Sequence, residues 1–276
     1  MGLALDELLM FAAALLATGI FAGILAGLLG VGGGIVIVPV LFHMFTLLGV
    51  DETVRMHMAV GTSLGTIIPT SIRSLRAHQK KGAVDFELLK RWALPMLIGV
   101  MVGTVLAAYV HGAVLTGVFA TVALLVAFNM AFGKEEWRLG DELPGRAGQG
   151  LIASVIGGVS AMMGIGGGTF GVTVMTLFGR PIHQAVATSA GLGLIISVPG
   201  AIGFMVSGLG VEARPPLSLG YVNLVGLALI VPATIIAAPW GANLAHAISR
   251  KMLARAFAFF LLLTSIRMFY GLLNGG

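Results

Sequence analysis

Residues 8–34 read LLMFAAALLATGIFAGILAGLLGVGGG, and this stretch decides the kind of fold. Residues 8–29 carry no charge, and roughly 20 apolar residues in a helix cross the roughly 30 Å of hydrocarbon in a bilayer. Asp6 and Glu7 precede the run, where a cleaved signal peptide would be positively charged, so we expect a retained membrane span. Gly costs a helix about 1 kcal/mol relative to Ala, so the glycine cluster at 30–34 should break the helix.

The composition of the whole chain indicates a membrane protein. Of its 276 residues 58% are hydrophobic and 10% are charged, with a mean hydropathy of +1.03, whereas a soluble domain has about 25% charged residues. Uncharged runs also occupy residues 92–110, 113–132 and 217–245. The net charge of +5 fits basic cytoplasmic loops, so we expect the lipid bilayer as a partner and no nucleic acid. The chain has no cysteine, which excludes disulfides and thiolate metal sites.

A series of short motifs occurs twice in the same order, which indicates an internal duplication. The matched pairs are 30–34 with 164–168 (GVGGG and GIGGG), 59–63 with 185–189 (AVGTS and AVATS), Pro95 with Pro232, and Leu115, Phe119 and Met130 with Leu253, Phe257 and Met268. We therefore divide the chain into a first membrane repeat at 1–133, a cytoplasmic linker at 134–147 and a second membrane repeat at 148–276.

Each repeat contains about five apolar segments, so the sequence predicts an all-α, polytopic membrane protein with helices broken at glycine. The segments are 8–29, 35–48, 56–75, 92–110 and 113–132 in the first repeat, and 149–163, 169–179, 184–208, 219–245 and 252–273 in the second. The short segments 35–48 and 169–179 directly follow the glycine clusters. The sequence leaves open whether they span the membrane fully or are half-helices.

The basic residues indicate how the segments are oriented. They cluster at Arg73, Arg76, Lys80, Lys81, Lys90 and Arg91, at Lys134, Arg138 and Arg146, at Arg180, and at Arg250 and Lys251. Five crossings per repeat place all of these loops in the cytoplasm, as the positive-inside rule requires, whereas four crossings place 73–91 and 250–251 on opposite sides. An odd number of crossings inverts the second repeat relative to the first, which is a recurrent architecture of secondary transporters.

The glycine clusters supply the first candidate binding residues, which are Gly32, Gly33, Gly34, Gly166, Gly167 and Gly168. A helix that restarts after a break points free N–H groups and a positive dipole end at its surroundings, and this suits an anion. The alternative interpretation is close helix packing, which we expect for Gly19, Gly23 and Gly27 at their i, i+4 spacing. The pattern differs from a dinucleotide fingerprint, which requires GxGxxG in a βαβ unit.

Two Thr-Ser pairs, Thr62–Ser63 and Thr188–Ser189, are the second set of candidates. A hydroxyl group can donate a hydrogen bond to an oxyanion without adding a charge that would hold the anion in place. The alternative is that each hydroxyl bonds to a carbonyl of its own helix, which is common in membrane helices.

Charged and titratable residues near the segment ends are candidates for gating or coupling. Arg73 and Arg76 either draw anions inward or anchor the third segment at the membrane surface. His57 and His183 precede the Thr-Ser pairs, and they either couple transport to protons or simply occupy helix ends. No Asp or Glu lies deep in a predicted span, which disfavours a carboxylate proton relay or a carboxylate cation site.

These motifs together resemble the TauE/SafE sulfite exporter family. The resemblance rests on the two glycine motifs, on Pro39 after the first of them, on AVGTS at 59–63 followed by Pro69-Thr70, and on AHQKKGAVD at 77–85. It covers nearly the whole chain, and it implies transport of sulfite, sulfoacetate or related organosulfonates. The second repeat has no proline at the place of Pro39, which suggests that the two half-sites differ.

We therefore predict a secondary transporter of a small sulfur-containing anion, bound near the membrane midplane between the two glycine breaks. A passive anion channel, or a transporter of another small organic anion, is the alternative. The sequence has no nucleotide-binding motif of the form GxxxxGK[ST], no metal-ligand cluster and no nucleophile–base pair, so we expect neither an enzyme nor a cofactor. We expect a multi-pass protein of the cell (inner) membrane, with a homodimer through the Gly19–Gly27 stripe left open.

Overall fold

The computed structural model describes residues 5–29, 33–132, 138–244 and 250–274. Within these ranges the chain forms ten helices and one short hairpin: α1 (Leu5–Leu29), α2 (Gly34–Leu47), α3 (Glu52–Lys80), α4 (Phe86–Tyr109), α5 (Gly112–Phe132), α6 (Arg146–Met163), α7 (Gly168–Leu177), α8 (Ile182–Ser207), β1 (Ser218–Leu219), β2 (Val222–Asn223), α9 (Leu224–Leu244) and α10 (Arg250–Leu273). Each of the ten predicted segments corresponds to one helix. The predicted all-α, polytopic fold is therefore confirmed.

Six helices in the described ranges are long and apolar enough to cross a membrane, namely Leu9–Gly27, Phe86–Tyr109, Gly112–Phe132, Ile182–Ser207, Leu224–Gly241 and Arg255–Leu273. Their outer surfaces expose large apolar side chains such as Leu94, Ile98 and Phe128. A water-facing surface does not carry contiguous side chains of this kind, so they face lipid. The chain is a multi-pass membrane protein.

The helices pack in pairs that match across the predicted repeats. Helix α1 lies along α9 and α4 lies along α6, while α3 crosses α8 and α5 lies beside α10. If α1–α5 corresponds to α6–α10, then α1 corresponds to α6 and α4 to α9, so the α1–α9 and α4–α6 pairs are equivalent. By the same correspondence, the α3–α8 and α5–α10 pairs each join a helix to its own counterpart. This is the packing that two equivalent halves would give; the inversion of the repeats stays a prediction.

Small residues permit the two closest of these contacts. A Cβ atom at Gly23 would lie 2.6 Å from the carbonyl oxygen of Thr234 on α9, and Gly99 on α4 has no room for a Cβ atom beside Ser154 on α6. Gly19 likewise packs against Ile230 of α9. Part of the glycine stripe is therefore buried within one chain, and a homodimer stays a prediction that needs another surface.

Two sets of helix ends define the two faces of the molecule. We call residues 76–92, 138–149 and 177–188 the basic face. Its segments are connected by an ion pair of Arg180 with Asp85 (3.6 Å) and by a hydrogen bond that Trp92 donates to Gln149 (3.2 Å). We call residues 49–57, 107–112 and 204–223 the opposite face. Helix α3 runs from the opposite face to the basic face, and α8 runs the other way. The positive-inside rule predicts that the basic face is cytoplasmic.

Helices α2 and α7 are short because the glycine clusters set where they begin. With 14 and 10 residues they are about 21 Å and 15 Å long, less than the roughly 30 Å of a hydrocarbon core. Each therefore covers only part of the membrane thickness by itself.

Candidate functional site

The site begins at the glycines that precede α2 and α7. Gly33 and Gly167 occupy the N-cap positions with φ of 70° and 68°, and Gly164 ends α6 with φ of 69°. This left-handed backbone is readily adopted only by glycine. Neither N-cap residue caps its helix with a side chain, so the first N–H groups of α2 and α7 lack the usual side-chain acceptor.

The structure brings the two glycine clusters into contact. A Cβ atom at Gly34 would lie 2.5 Å from the carbonyl oxygen of Gly164 and 3.1 Å from the Cα atom of Ile165. Both clusters also lie against Ile67, 15 residues from the start of α3 and so about 22 Å along it. The clusters thus meet at the middle of α3. Gly32 lies outside the described residues.

The four Thr and Ser hydroxyls make hydrogen bonds within the protein. Ser63 donates to the carbonyl oxygen of Gly164 (2.8 Å), which ties α3 to the second cluster. Ser189 donates to the carbonyl oxygen of Val186 in its own helix (2.7 Å). Thr62 and Thr188 accept hydrogen bonds from the backbone N–H groups of Asn223 (2.9 Å) and Asp85 (3.0 Å), respectively. The own-helix interpretation therefore describes Ser189, and the other three bond to other elements.

Asp85 and Asn223 belong to a pair of matched loops that the sequence analysis missed. Asp85 accepts from the N–H of Leu88 (2.9 Å) at the start of α4, and Asn223 accepts from the N–H of Gly226 (2.7 Å) at the start of α9. Each is an N-cap residue held in place by a threonine of the other repeat. The signal for them is a repeat of Gly-Ala-Val-Asp at 82–85 as Gly-Tyr-Val-Asn at 220–223.

A cavity of about 230 Å³ extends from the second glycine cluster toward the basic face. Its inner end is formed by Gly166, Gly168, Ser189, Gly193 and Ser71, where α7 begins and α3 crosses α8. The cavity thus receives the start of α7, whose N–H groups carry the positive end of the helix dipole.

The charge around the cavity is positive. Arg73, His78 and Lys81 line it near the basic face, and none of the described residues lining it is a carboxylate. Neither Arg73 nor Lys81 forms an ion pair within the part of the chain that the structure describes. An anion entering from the basic face would therefore meet cationic side chains first, then hydroxyls and a helix N-terminus.

The remaining wall is apolar, with Ala26, Ala190, Ile235, Ala238 and Pro239 from α1, α8 and α9. Such a wall gives no hydrogen bonds to an inorganic ion, but it can cover a short carbon chain.

The predicted site residues fall into two groups. Gly166, Gly168, Ser189 and Arg73 line the cavity. The other described candidates lie outside its lining: Gly33, Gly34 and Gly167 in the packed clusters, Thr62, Ser63 and Thr188 in contacts between elements, Arg76 and His183 exposed at the basic face, and His57 buried at the opposite face. Ser71, His78, Lys81 and Gly193 also line the cavity, and they were not predicted as site residues from the sequence. The spacing of Ser189 and Gly193, one turn apart on α8, was the available signal.

A multi-pass helical protein whose cavity is lined by cationic side chains, and by no carboxylate among the described residues, has the features expected of a membrane transporter. The chain belongs to the sulfite exporter TauE/SafE family, whose sequence profile matches residues 15–268. The resemblance predicted from the motifs is confirmed.

Several relatives are similar along most of their length. A probable membrane transporter protein of Haemophilus influenzae is 32% identical over 259 residues, which are 92% of this chain and 96% of that protein. The probable membrane transporter protein YunE of Bacillus subtilis is 30% identical, covering 86% and 88% of the two chains. A probable membrane transporter protein of Methanocaldococcus jannaschii is 26% identical, covering 84% of each. No solved structure matches the chain.

Proposed function

We propose that the protein is a secondary transporter of a small sulfur-containing anion such as sulfite, sulfoacetate or a related organosulfonate. The observation that carries the proposal is the cavity between the start of α7 and the cationic side chains Arg73 and Lys81. The family description supports an oxyanion of sulfur as the substrate.

The chemistry of the cavity suits a sulfur oxyanion. Sulfite and sulfonate groups present three oxygen atoms that accept hydrogen bonds, and the inner end of the cavity lies at the start of α7, whose first N–H groups lack a side-chain acceptor, with the hydroxyl of Ser71 nearby. Arg73 and Lys81 lie farther out, where they raise the local concentration of anions. Because these cations stand at the entrance, they do not form a tight ion pair with an anion at the inner end, and release remains fast.

The size of the cavity favours a small substrate. Its volume of about 230 Å³ is below the roughly 300–1,000 Å³ of pockets that hold drug-sized ligands. The apolar wall formed by Ile235, Ala238 and Pro239 can also cover the short organic body of a sulfonate. This feature also supports the alternative substrate class, a small organic anion with a carboxylate in place of the sulfonate.

We infer that the substrate crosses unchanged, because the family is one of membrane transporters. The sequence has no nucleotide-binding motif, which favours a gradient as the energy source.

Radiolabelled sulfite flux into proteoliposomes tests the proposal, with sulfoacetate, sulfate and taurine as competitors and with or without a pH gradient. We expect saturable sulfite uptake that sulfoacetate inhibits and the gradient accelerates. Uptake that neither saturates nor responds to the gradient would indicate a passive channel. If neither sulfite nor sulfoacetate is transported by protein with a cooperative melting transition, the sulfur-anion proposal is wrong.

A further inference from the structure

The geometry points to an aromatic gate, formed by His57, Phe204 and Tyr221, that closes the transport path at the opposite face. This inference rests on the proposed transport function, but it concerns residues outside the cavity and can be tested without a known substrate.

The two matched loops at 82–85 and 220–223 lie at opposite faces of the molecule. Their glycines both have positive φ, 65° at Gly82 and 56° at Gly220. The next residue of each loop donates its backbone N–H to the end of the preceding long helix: Ala83 to His78 on α3 (3.3 Å) and Tyr221 to Phe204 on α8 (3.0 Å). The two loops therefore hold equivalent places, one at each face of the molecule.

The loops differ in the residue after the glycine, which is Ala83 at the basic face and Tyr221 at the opposite face. At the opposite face the ring of Tyr221 lies on the ring of His57, with centroids 4.9 Å apart, and Phe204 lies 6.5 Å from His57. All three side chains are buried, with Phe204 at 1%, His57 at 4% and Tyr221 at 9% exposure. The three rings pack α3, α8 and the hairpin together at the opposite face.

The backbone around Tyr221 is closely packed against α3 and the end of α8. A Cβ atom at Gly61 on α3 would lie 2.5 Å from the carbonyl oxygen of Tyr221, and Gly208 after α8 has no room for a Cβ atom beside the Tyr221 N–H. His57 also bonds through Nε2 to the carbonyl oxygen of Ala107 on α4 (2.9 Å). Because a carbonyl oxygen only accepts, the ring is held by its own N–H donor, which fixes the surface on which Tyr221 rests.

The basic face has no comparable closure in the described residues. In the matched positions of the two repeats, Ala83 corresponds to Tyr221, and His183, which is exposed, corresponds to His57. His78 lines the cavity. The path is therefore open at the basic face and closed at the opposite face. The one large side chain that distinguishes the two loops, Tyr221, accounts for the difference.

Cysteine accessibility tests the gate, because the natural chain contains no cysteine. Ser71→Cys places one thiol in the cavity, and a membrane-impermeant thiol reagent is added from either side of oriented vesicles. In this background we expect labelling from the basic face alone. Adding Tyr221→Ala should raise the labelling rate from the opposite face by about tenfold or more, which corresponds to a loss of about 1.4 kcal/mol for the closed state.

Matched variants separate the gate from a general disturbance. Tyr221→Phe keeps the ring and should label like the parent, and Tyr109→Ala removes a tyrosine at the same face that is 88% exposed and should do the same. If Tyr221→Ala does not insert in the membrane, His57→Ala is labelled in its place, with the same increase expected.

Two results would overturn the gate: labelling from the opposite face in the Ser71→Cys parent, or labelling from the basic face alone in a folded Tyr221→Ala variant. The outcome is independent of the sulfite assay. Increased access in Tyr221→Ala together with absent sulfite flux would uphold the gate and reject the proposed substrate.

Discussion

Gly167 combines a positive φ of 68° with a tight contact, because a Cβ atom there would overlap the Cδ1 end of the Ile196 side chain on α8. Leucine at this position must both enter the left-handed region, at about 1–2 kcal/mol, and displace a buried side chain at the start of α7. We expect Gly167→Leu to abolish sulfite transport while the protein still inserts in the membrane. Gly33→Leu should have the same effect, since Gly33 has φ of 70° and lies against the backbone of Ala22.

Gly49 provides a control for backbone strain alone. It has φ of 68°, but a Cβ atom there meets nothing within 4 Å. Gly49→Leu should therefore lower the melting temperature slightly and leave the flux unchanged. Normal flux in Gly33→Leu or Gly167→Leu, measured at equal protein incorporation, would contradict the role of the glycine breaks in transport.

Thr62 and Thr188 have a structural role that their sequence motif does not reveal. Each accepts the backbone N–H of an N-cap residue from the other repeat, and each is fully buried. Thr62→Val or Thr188→Val leaves a buried N–H without a partner, which should lower the free energy of unfolding by about 1–3 kcal/mol. Thr46→Val, an exposed position bonded only to its own helix, should cost far less. A thermal melt in detergent compares the three variants, and equal losses would contradict this assignment.

Sequence reasoning identified these hydroxyls but could not assign their partners. The AVGTS and AVATS motifs draw attention to Thr62 and Thr188 because they repeat. A hydrogen bond across more than 100 positions of the chain depends on how α3 and α8 cross, and a local pattern does not contain that crossing. The same reason hid Ser71, His78 and Lys81, which line one cavity with Gly166 only in the assembled bundle.

At the scale of elements, the N-cap residues of α4 and α9 occupy matched positions but differ in charge. Asp85 caps α4 with one oxygen and pairs with Arg180 through the other at 3.6 Å, whereas Asn223 caps α9 and has a neutral partner in Ser218. Asp85→Asn should therefore preserve the cap and remove only a partly exposed ion pair, at a cost below about 1 kcal/mol. Asp85→Ala removes the cap as well and should cost about 1 kcal/mol more.

Melting temperatures of Asp85→Asn, Asp85→Ala and Arg180→Gln resolve these contributions. We expect Asp85→Asn and Arg180→Gln to melt together, because both remove the same ion pair and keep the cap. A melting temperature for Asp85→Asn as low as that of Asp85→Ala would show that the ion pair, and not the cap, holds the start of α4 at the basic face.

The elements themselves were largely predictable because hydrophobic length dictates them. A segment such as residues 113–132 can only be a helix in lipid, where each backbone polar group needs a partner within its own segment. The glycine clusters likewise fixed where α2 and α7 begin. The hairpin of β1 and β2 was missed because it lies within the predicted segment 219–245, where apolar residues continue without a charge and its two-residue strands leave no periodic pattern.

At the scale of the whole molecule, the distribution of charge follows from the membrane as much as from the substrate. Basic side chains gather at one face, as the positive-inside rule requires of any membrane protein, and the cavity opens toward the same face. Sequence alone therefore could not separate an anchoring arginine from one that attracts substrate. The structure separates two of them, since Arg73 lines the cavity and Arg76, also exposed, does not.

This difference makes a prediction about the rate of substrate capture. Arg73→Gln and Lys81→Gln remove positive charge from the cavity entrance, so each should raise the KM for sulfite presented at the basic face. At low ionic strength the double variant should raise this KM by about tenfold. The effect on kcat should be small, because neither side chain lies at the inner end beside Gly166 and Ser71. Screening over a Debye length of about 10 Å at 0.1 M salt should reduce the difference from the parent as salt is added.

Arg76→Gln removes the same charge from outside the cavity and is the matched control. Initial flux rates measured against sulfite and salt concentration decide the matter: an Arg76→Gln variant as impaired as Arg73→Gln would assign the effect to the general surface charge of the basic face, and a KM independent of all three would remove the entrance cations from the transport path.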